Sequence, residues 1–112
     1  MDKEELRKIA QKAREERMKE LEGWTREKAL EIYEKNYSKY VNLVEGPDTK
    51  LEYTIYVNKE DDIYVVSSYG ERGVQRRLFY KHTEPEAYYY AIGEAAAIAS
   101  ERKREEPDDI DF

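Results

Sequence analysis

Residues 51–81 read L-E-Y-T-I-Y-V-N-K-E-D-D-I-Y-V-V-S-S-Y-G-E-R-G-V-Q-R-R-L-F-Y-K, and this stretch decides the fold. Leu51, Tyr53, Ile55 and Val57 alternate with Glu52, Thr54, Tyr56 and Asn58, the two-residue period of a strand with one buried face. Residues 59–62 make a polar turn. Residues 63–69, rich in β-branched and aromatic side chains, form a second strand, and Gly70-Glu71-Arg72-Gly73 supplies the glycines of a hairpin turn. In a third strand, residues 74–81, Val74, Arg76, Leu78 and Tyr80 alternate with Gln75, Arg77, Phe79 and Lys81. Connections this short make the three strands antiparallel neighbours in a meander.

Downstream, residues 83–106 read T-E-P-E-A-Y-Y-Y-A-I-G-E-A-A-A-I-A-S-E-R-K-R-E-E, a single long helix. Thr83 and Glu86 form a capping box, Pro85 sits in the first turn where no helical hydrogen bond is lost, and alanine fills the centre. Tyr88, Ile92, Ala95, Ala96 and Ala99 share one face. Glu94 lies across from it and reads as a solvent-side charge. The small residues predict close approach to a neighbouring element.

Upstream, Thr25 caps a helix over residues 25–45, in which Ala29, Tyr33, Tyr37, Tyr40, Val41 and Val44 repeat at three- or four-residue spacing before Gly46-Pro47 ends it. Asp2 caps an earlier helix that runs to about Glu22, with Gly23 as its stop and a thin stripe of Leu6, Ile9, Ala10, Ala13, Met18 and Leu21. A helix so charged reads as a solvated, lightly docked arm. The predicted fold is therefore α+β: a three-stranded antiparallel β-meander covered on one face by two helices, plus an N-terminal charged helix, in the order ααβββα. Thr54 and Ser68 are expected on the uncovered face, in water. The predicted organisation is a charged helix over 1–23, an α+β domain over 24–106 and an acidic tail over 107–112.

At 112 residues the chain is long enough for one core. It has no cysteine, which excludes disulfides and thiolate chemistry and suits a reducing cytoplasm, and M-D-K-E-E-L at the start has no apolar signal region. The apolar run of residues 87–100 falls short of the roughly 20 residues a bilayer needs. The net charge of −6 is uneven: acids and bases balance through residue 83, whereas residues 84–112 hold nine acids and three bases. That surplus disfavours direct binding to nucleic acid and favours a basic protein partner.

Chemistry-bearing constellations are few. His82 is the only histidine and, with no cysteine and no second histidine, no triad is visible although Ser67 and Ser68 are present, so it reads as a surface or capping residue. The acids near the C-terminus lack the EF-hand spacing, zinc has no N and S donor set, and Gly70 and Gly73 lack the phosphate-loop pattern; no cofactor or metal is predicted. Eleven of the fourteen aromatic residues are tyrosines, suited to the edges of a small core or to a binding surface. The end, E-E-P-D-D-I-D-F, reads either as a solubilising tail or as a segment that enters a basic cleft, with Ile110 and Phe112 as apolar anchors and its carboxylates imitating phosphates.

The segment Y-T-I-Y-V…D-D-I-Y-V-V-S-S-Y-G-E-R-G…R-R-L-F-Y-K-H-T-E-P-E-A-Y-Y-Y resembles the strand, glycine hairpin, strand, T-x-x-E-A helix arrangement of small bacterial immunity proteins of polymorphic and contact-dependent toxin systems, over residues 51–100. The resemblance implies a cytoplasmic, non-enzymatic inhibitor that plugs a toxin's active site. Combined with the acidic C-terminus, it gives the expected function: a binding inhibitor of a basic, nuclease-type toxin or nucleic-acid-handling protein. The candidate partner-binding residues are Glu105, Glu106, Asp108, Asp109, Asp111, Phe112, Tyr89 and Tyr90. An anti-CRISPR-like inhibitor shares this logic, and the balanced charges of the first helix also suit a designed α+β domain with no natural ligand.

Overall fold

The computed structural model describes residues 2–105, which form α1 (Lys3–Leu21), α2 (Arg26–Asn36), β1 (Asn42–Glu45), β2 (Thr54–Glu60), β3 (Ile63–Tyr69), β4 (Gln75–Lys81) and α3 (Glu84–Glu105), with a 3₁₀ turn at Glu71–Gly73. Side-chain caps start the helices as the sequence predicts. Asp2 accepts from the Glu5 N–H at 2.8 Å, Thr25 from Lys28 at 3.1 Å and Thr83 from Glu86 at 3.4 Å. Each satisfies a backbone donor that has no partner inside its helix.

The three-stranded meander is corrected to a four-stranded mixed sheet in the order β1-β2-β3-β4, in which β1 runs parallel to β2 and the other two pairings are antiparallel. The residues expected at the end of the second helix supply the extra strand. Helix α2 stops at Asn36, where the Asn36 amide donates to the Ile32 carbonyl and the Ser38 hydroxyl to that of Glu34, at 3.0 and 2.9 Å. Such short polar side chains compete for the helix's own carbonyls. Beyond them, Val41 and Leu43 turn inward while Asn42 and Val44 are exposed, so residues that fit a helical spacing in fact alternate as a strand.

Helix α3 packs on one face of the sheet and α2 packs against α3, with Ala29 of α2 in the same core. Ile55, Val57 and Val66 meet Ala87, Ala91, Ala95 and Ile98 there, all buried. Alanines on the contacting side of α3 allow its backbone close to the sheet, and covering this face supplies most of the apolar burial that holds the domain together.

The opposite face is also covered, by the loop of residues 46–53 that returns from β1 to β2. The Tyr56 hydroxyl pairs with the Thr49 hydroxyl at 2.7 Å and accepts the Leu51 N–H at 3.1 Å, while the Tyr69 hydroxyl donates to the Asp48 carboxylate. Two expectations fail for this reason. Thr54 is buried on the loop side, and Ser68 is buried on the helix side with its hydroxyl on Glu94, so neither meets water. The loop is also tied to the β3–β4 turn: at Gly73, with φ +71°, a Cβ would lie 2.6 Å from the Lys50 carbonyl oxygen.

Helix α1 stands apart. Residues 2–19 are exposed along its length, Leu6, Ile9 and Met18 included, and the radius of gyration is 16.5 Å. A compact domain of about 100 residues has roughly 13 Å, and the projecting helix makes the difference.

Candidate functional site

Three polar clusters are built into the domain. At the junction of α2, β1 and α3, the Arg26 guanidinium pairs with Glu45, which also accepts the Tyr88 hydroxyl at 2.7 Å. Burial, then the Glu45 contact, pushes the Tyr88 hydroxyl above its ordinary value. On the helix-covered face, Glu94 accepts the Ser68 hydroxyl at 2.7 Å and lies 3.9 Å from Arg76, whose other end pairs with Glu101 at 2.7 Å. Glu94 is therefore part of a largely buried network, not the solvent-side charge expected of it. Arg76 reaches this position because the β3–β4 register shifts between Ser68 and Tyr69: Ser68 pairs with Arg77 and Tyr69 with Gln75, which leaves Arg76 as a bulge residue aimed at α3.

The third cluster is the loop anchor. Burial first, then the Asp48 contact, raises the Tyr69 hydroxyl to about 12. Nearby, the Arg102 guanidinium stacks 4.0 Å over the Tyr53 ring and donates to the Tyr40 carbonyl, which fastens α3 to both the loop and the segment leading into β1. These carboxylates and cations are matched to one another across elements, an arrangement that fixes relative positions.

Among the described residues no serine, histidine and acid converge. Ser68 contacts Glu94, whereas His82 is exposed five residues beyond Arg77, the strand partner of Ser68, roughly 16 Å along the strand at its usual rise. Among the described residues no three His, Asp or Glu side chains are grouped to hold a metal ion. Nor is any helix among them long and apolar enough to cross a membrane.

The candidate partner-binding residues fall into separate places. Tyr89 and Tyr90 are half-buried near the start of α3 in an aromatic run: Trp24 meets Tyr89 edge-on at 5.8 Å, Tyr89 meets Tyr90 at 5.8 Å, and Phe79 meets Tyr90 at 4.9 Å. The Lys81 ammonium sits 3.7 Å over the Tyr90 ring. This run joins α3, β4 and the entry to α2. Glu105 is exposed in the last turn of α3, at least roughly 22 Å away along the helix axis. Glu106, Asp108, Asp109, Asp111 and Phe112 lie outside the described residues.

The sequence reading missed the outer edge of β4. Val74, Leu78 and Tyr80 are 65%, 45% and 62% exposed there, and Arg77 is exposed beside them. The alternation of Arg77, Leu78, Phe79, Tyr80 and Lys81 was legible, but not which strand ends the sheet. Comparison of the chain with family models, with curated proteins and with solved structures finds no significant match.

Proposed function

We propose that this protein is a non-enzymatic binding inhibitor, immunity-like in its logic, that blocks a basic nuclease-type toxin or another nucleic-acid-handling protein in the cytoplasm. One observation carries the reading. Of the chain's 26 acids, Glu106, Asp108, Asp109 and Asp111 lie beyond Glu105, so residues up to Glu105 hold 22 acids against 20 bases and are close to neutral. Glu94, with a side chain only 13% exposed, is already matched by Ser68 and Arg76. Charge able to meet a basic cleft is thus concentrated after α3, interleaved with Ile110 and Phe112. Alternating carboxylates and apolar anchors suit a cleft that binds phosphates, since electrostatic complementarity governs both encounter and register.

Co-expression tests this. Cells producing each member of a panel of basic nuclease toxins are given the full chain, and survival against at least one toxin is expected. That survival is expected to disappear with a chain ending at Arg104 that is still folded by circular dichroism. Failure to protect against every nuclease in the panel, or protection that ignores the truncation, contradicts the proposal.

A further inference from the structure

Among the described residues strand β4 ends the sheet, so every second N–H and C=O along its outer side has no strand partner among them. Residues 75–81 read Q-R-R-L-F-Y-K, three bases and no acid in a chain of net charge −6. The pairings Ser68 with Arg77, Val66 with Phe79 and Tyr64 with Lys81 put Arg77, Phe79 and Lys81 on the α3 side of the strand, and Leu78 and Tyr80 on the loop side. Next to Tyr80 the sheet carries a cleft of about 370 Å³ lined by Pro47, Asp48, Asn58, Glu60, Val65 and Ser67. Those two acids are engaged, Asp48 by Tyr69 and Glu60 by the Asn58 amide at 3.3 Å. Arg77 has no ion pair or hydrogen bond among the described residues, and Lys81 lies 3.8 Å from Glu86.

Basic residues on an edge strand often serve only to prevent aggregation. That role does not account for Leu78 and Tyr80, which expose apolar surface on the same edge. A second copy fits poorly, because edge-to-edge pairing brings Arg77 of each copy onto a strand that carries no acid. The charges that refuse a copy favour an acidic strand.

We propose that the outer edge of β4 binds an extended peptide in which acidic residues alternate with apolar ones, the acids beside Arg77 and Lys81 and the apolar side chains beside Leu78 and Tyr80. Main-chain hydrogen bonds to the free edge supply affinity, and the period of two supplies specificity. This surface lies on β4, apart from the acidic segment invoked for the inhibitor function, and loss of protection on truncation and loss of peptide binding in R77E are read separately.

The sequence Asp109-Ile110-Asp111-Phe112 has the required alternation, so a labelled synthetic peptide D-D-I-D-F is the probe. Added to the full chain, it is expected to bind saturably, to weaken with salt and to slow hydrogen exchange at alternate amides of residues 75–81. In R77E, a change at an exposed side chain, binding weakens about tenfold or more, while a K-K-I-K-F peptide gains affinity for that variant. Absence of saturable binding, or equal binding by R77E, overturns the proposal. If those amides are already protected before peptide is added, and R77E releases them, a segment of the same chain fills the edge and the separate-peptide proposal is overturned.

Discussion

Ile55 and Tyr56 are neighbours in β2, both are buried, and the two faces of the sheet close over them by different chemistry. Above Ile55 the cover is mainly apolar: alanines and Ile98 of α3 exclude water, with the Ser68–Glu94 hydrogen bond beside them. Above Tyr56 the cover is a loop whose hold depends on hydroxyl groups, with Tyr56 on Thr49 and Leu51 and Tyr69 on Asp48. A helix covers several strands at once, whereas this loop is anchored to β2, to β3 with the turn that follows it, and to Arg102 of α3. Beyond its reach Leu78 and Tyr80 of β4 remain exposed, so the manner in which the second face is closed decides where the sheet keeps exposed apolar surface.

The largest effect should come from breaking the helix-covered face. Ile55→Ala leaves a cavity beneath α3 and is expected to cost about 3 kcal/mol, read from urea unfolding with an unchanged m-value. A loss below about 1 kcal/mol would mean that this face is not the tight one. Next, Tyr56→Phe keeps the ring but strips the loop of two partners. We expect about 1–2 kcal/mol and faster exchange at the Leu51 amide, with α3 amides unaffected.

Alkaline pH separates the faces by titration. Tyr69 holds its proton more tightly in the folded protein, at about 12 against an ordinary value of 10, and Tyr88 is shifted in the same direction. The stability this represents is complete below pH 10 and is lost as pH rises through the folded value. Unfolding free energy should therefore fall between about pH 10 and 12, with a shallower fall in Tyr69→Phe. An identical slope in that variant would deny Tyr69 its buried contact with Asp48. The smallest effect belongs to the part that covers neither face. Leu6→Lys on the exposed α1 should change stability by no more than about 0.5 kcal/mol in the same urea assay.

The sequence was legible where one signal ruled and ambiguous where two coincided. β3 matches its expected boundaries, because a β-branched and aromatic run lies between two turn signals. The caps at Asp2, Thr25 and Thr83 were readable because their chemistry is local. β1 was not, since Val41 and Val44 satisfy a helical spacing and the strand exists only through its pairing with β2. Thr54 and Ser68 looked like water-facing residues because a pattern of polarity cannot register a loop folding back or a glutamate reaching in from α3. The charge surplus after Arg104 came from counting alone. The free edge of β4 depends on knowing the order of the strands.

The most direct test of the inhibitor reading is the affinity of the protected toxin for the full chain and for a chain ending at Arg104, titrated from low to physiological salt. We predict that the full chain binds more weakly as salt rises, and that truncation removes both most of the affinity and most of the salt dependence. Equal affinity and equal salt dependence of the two chains would contradict it.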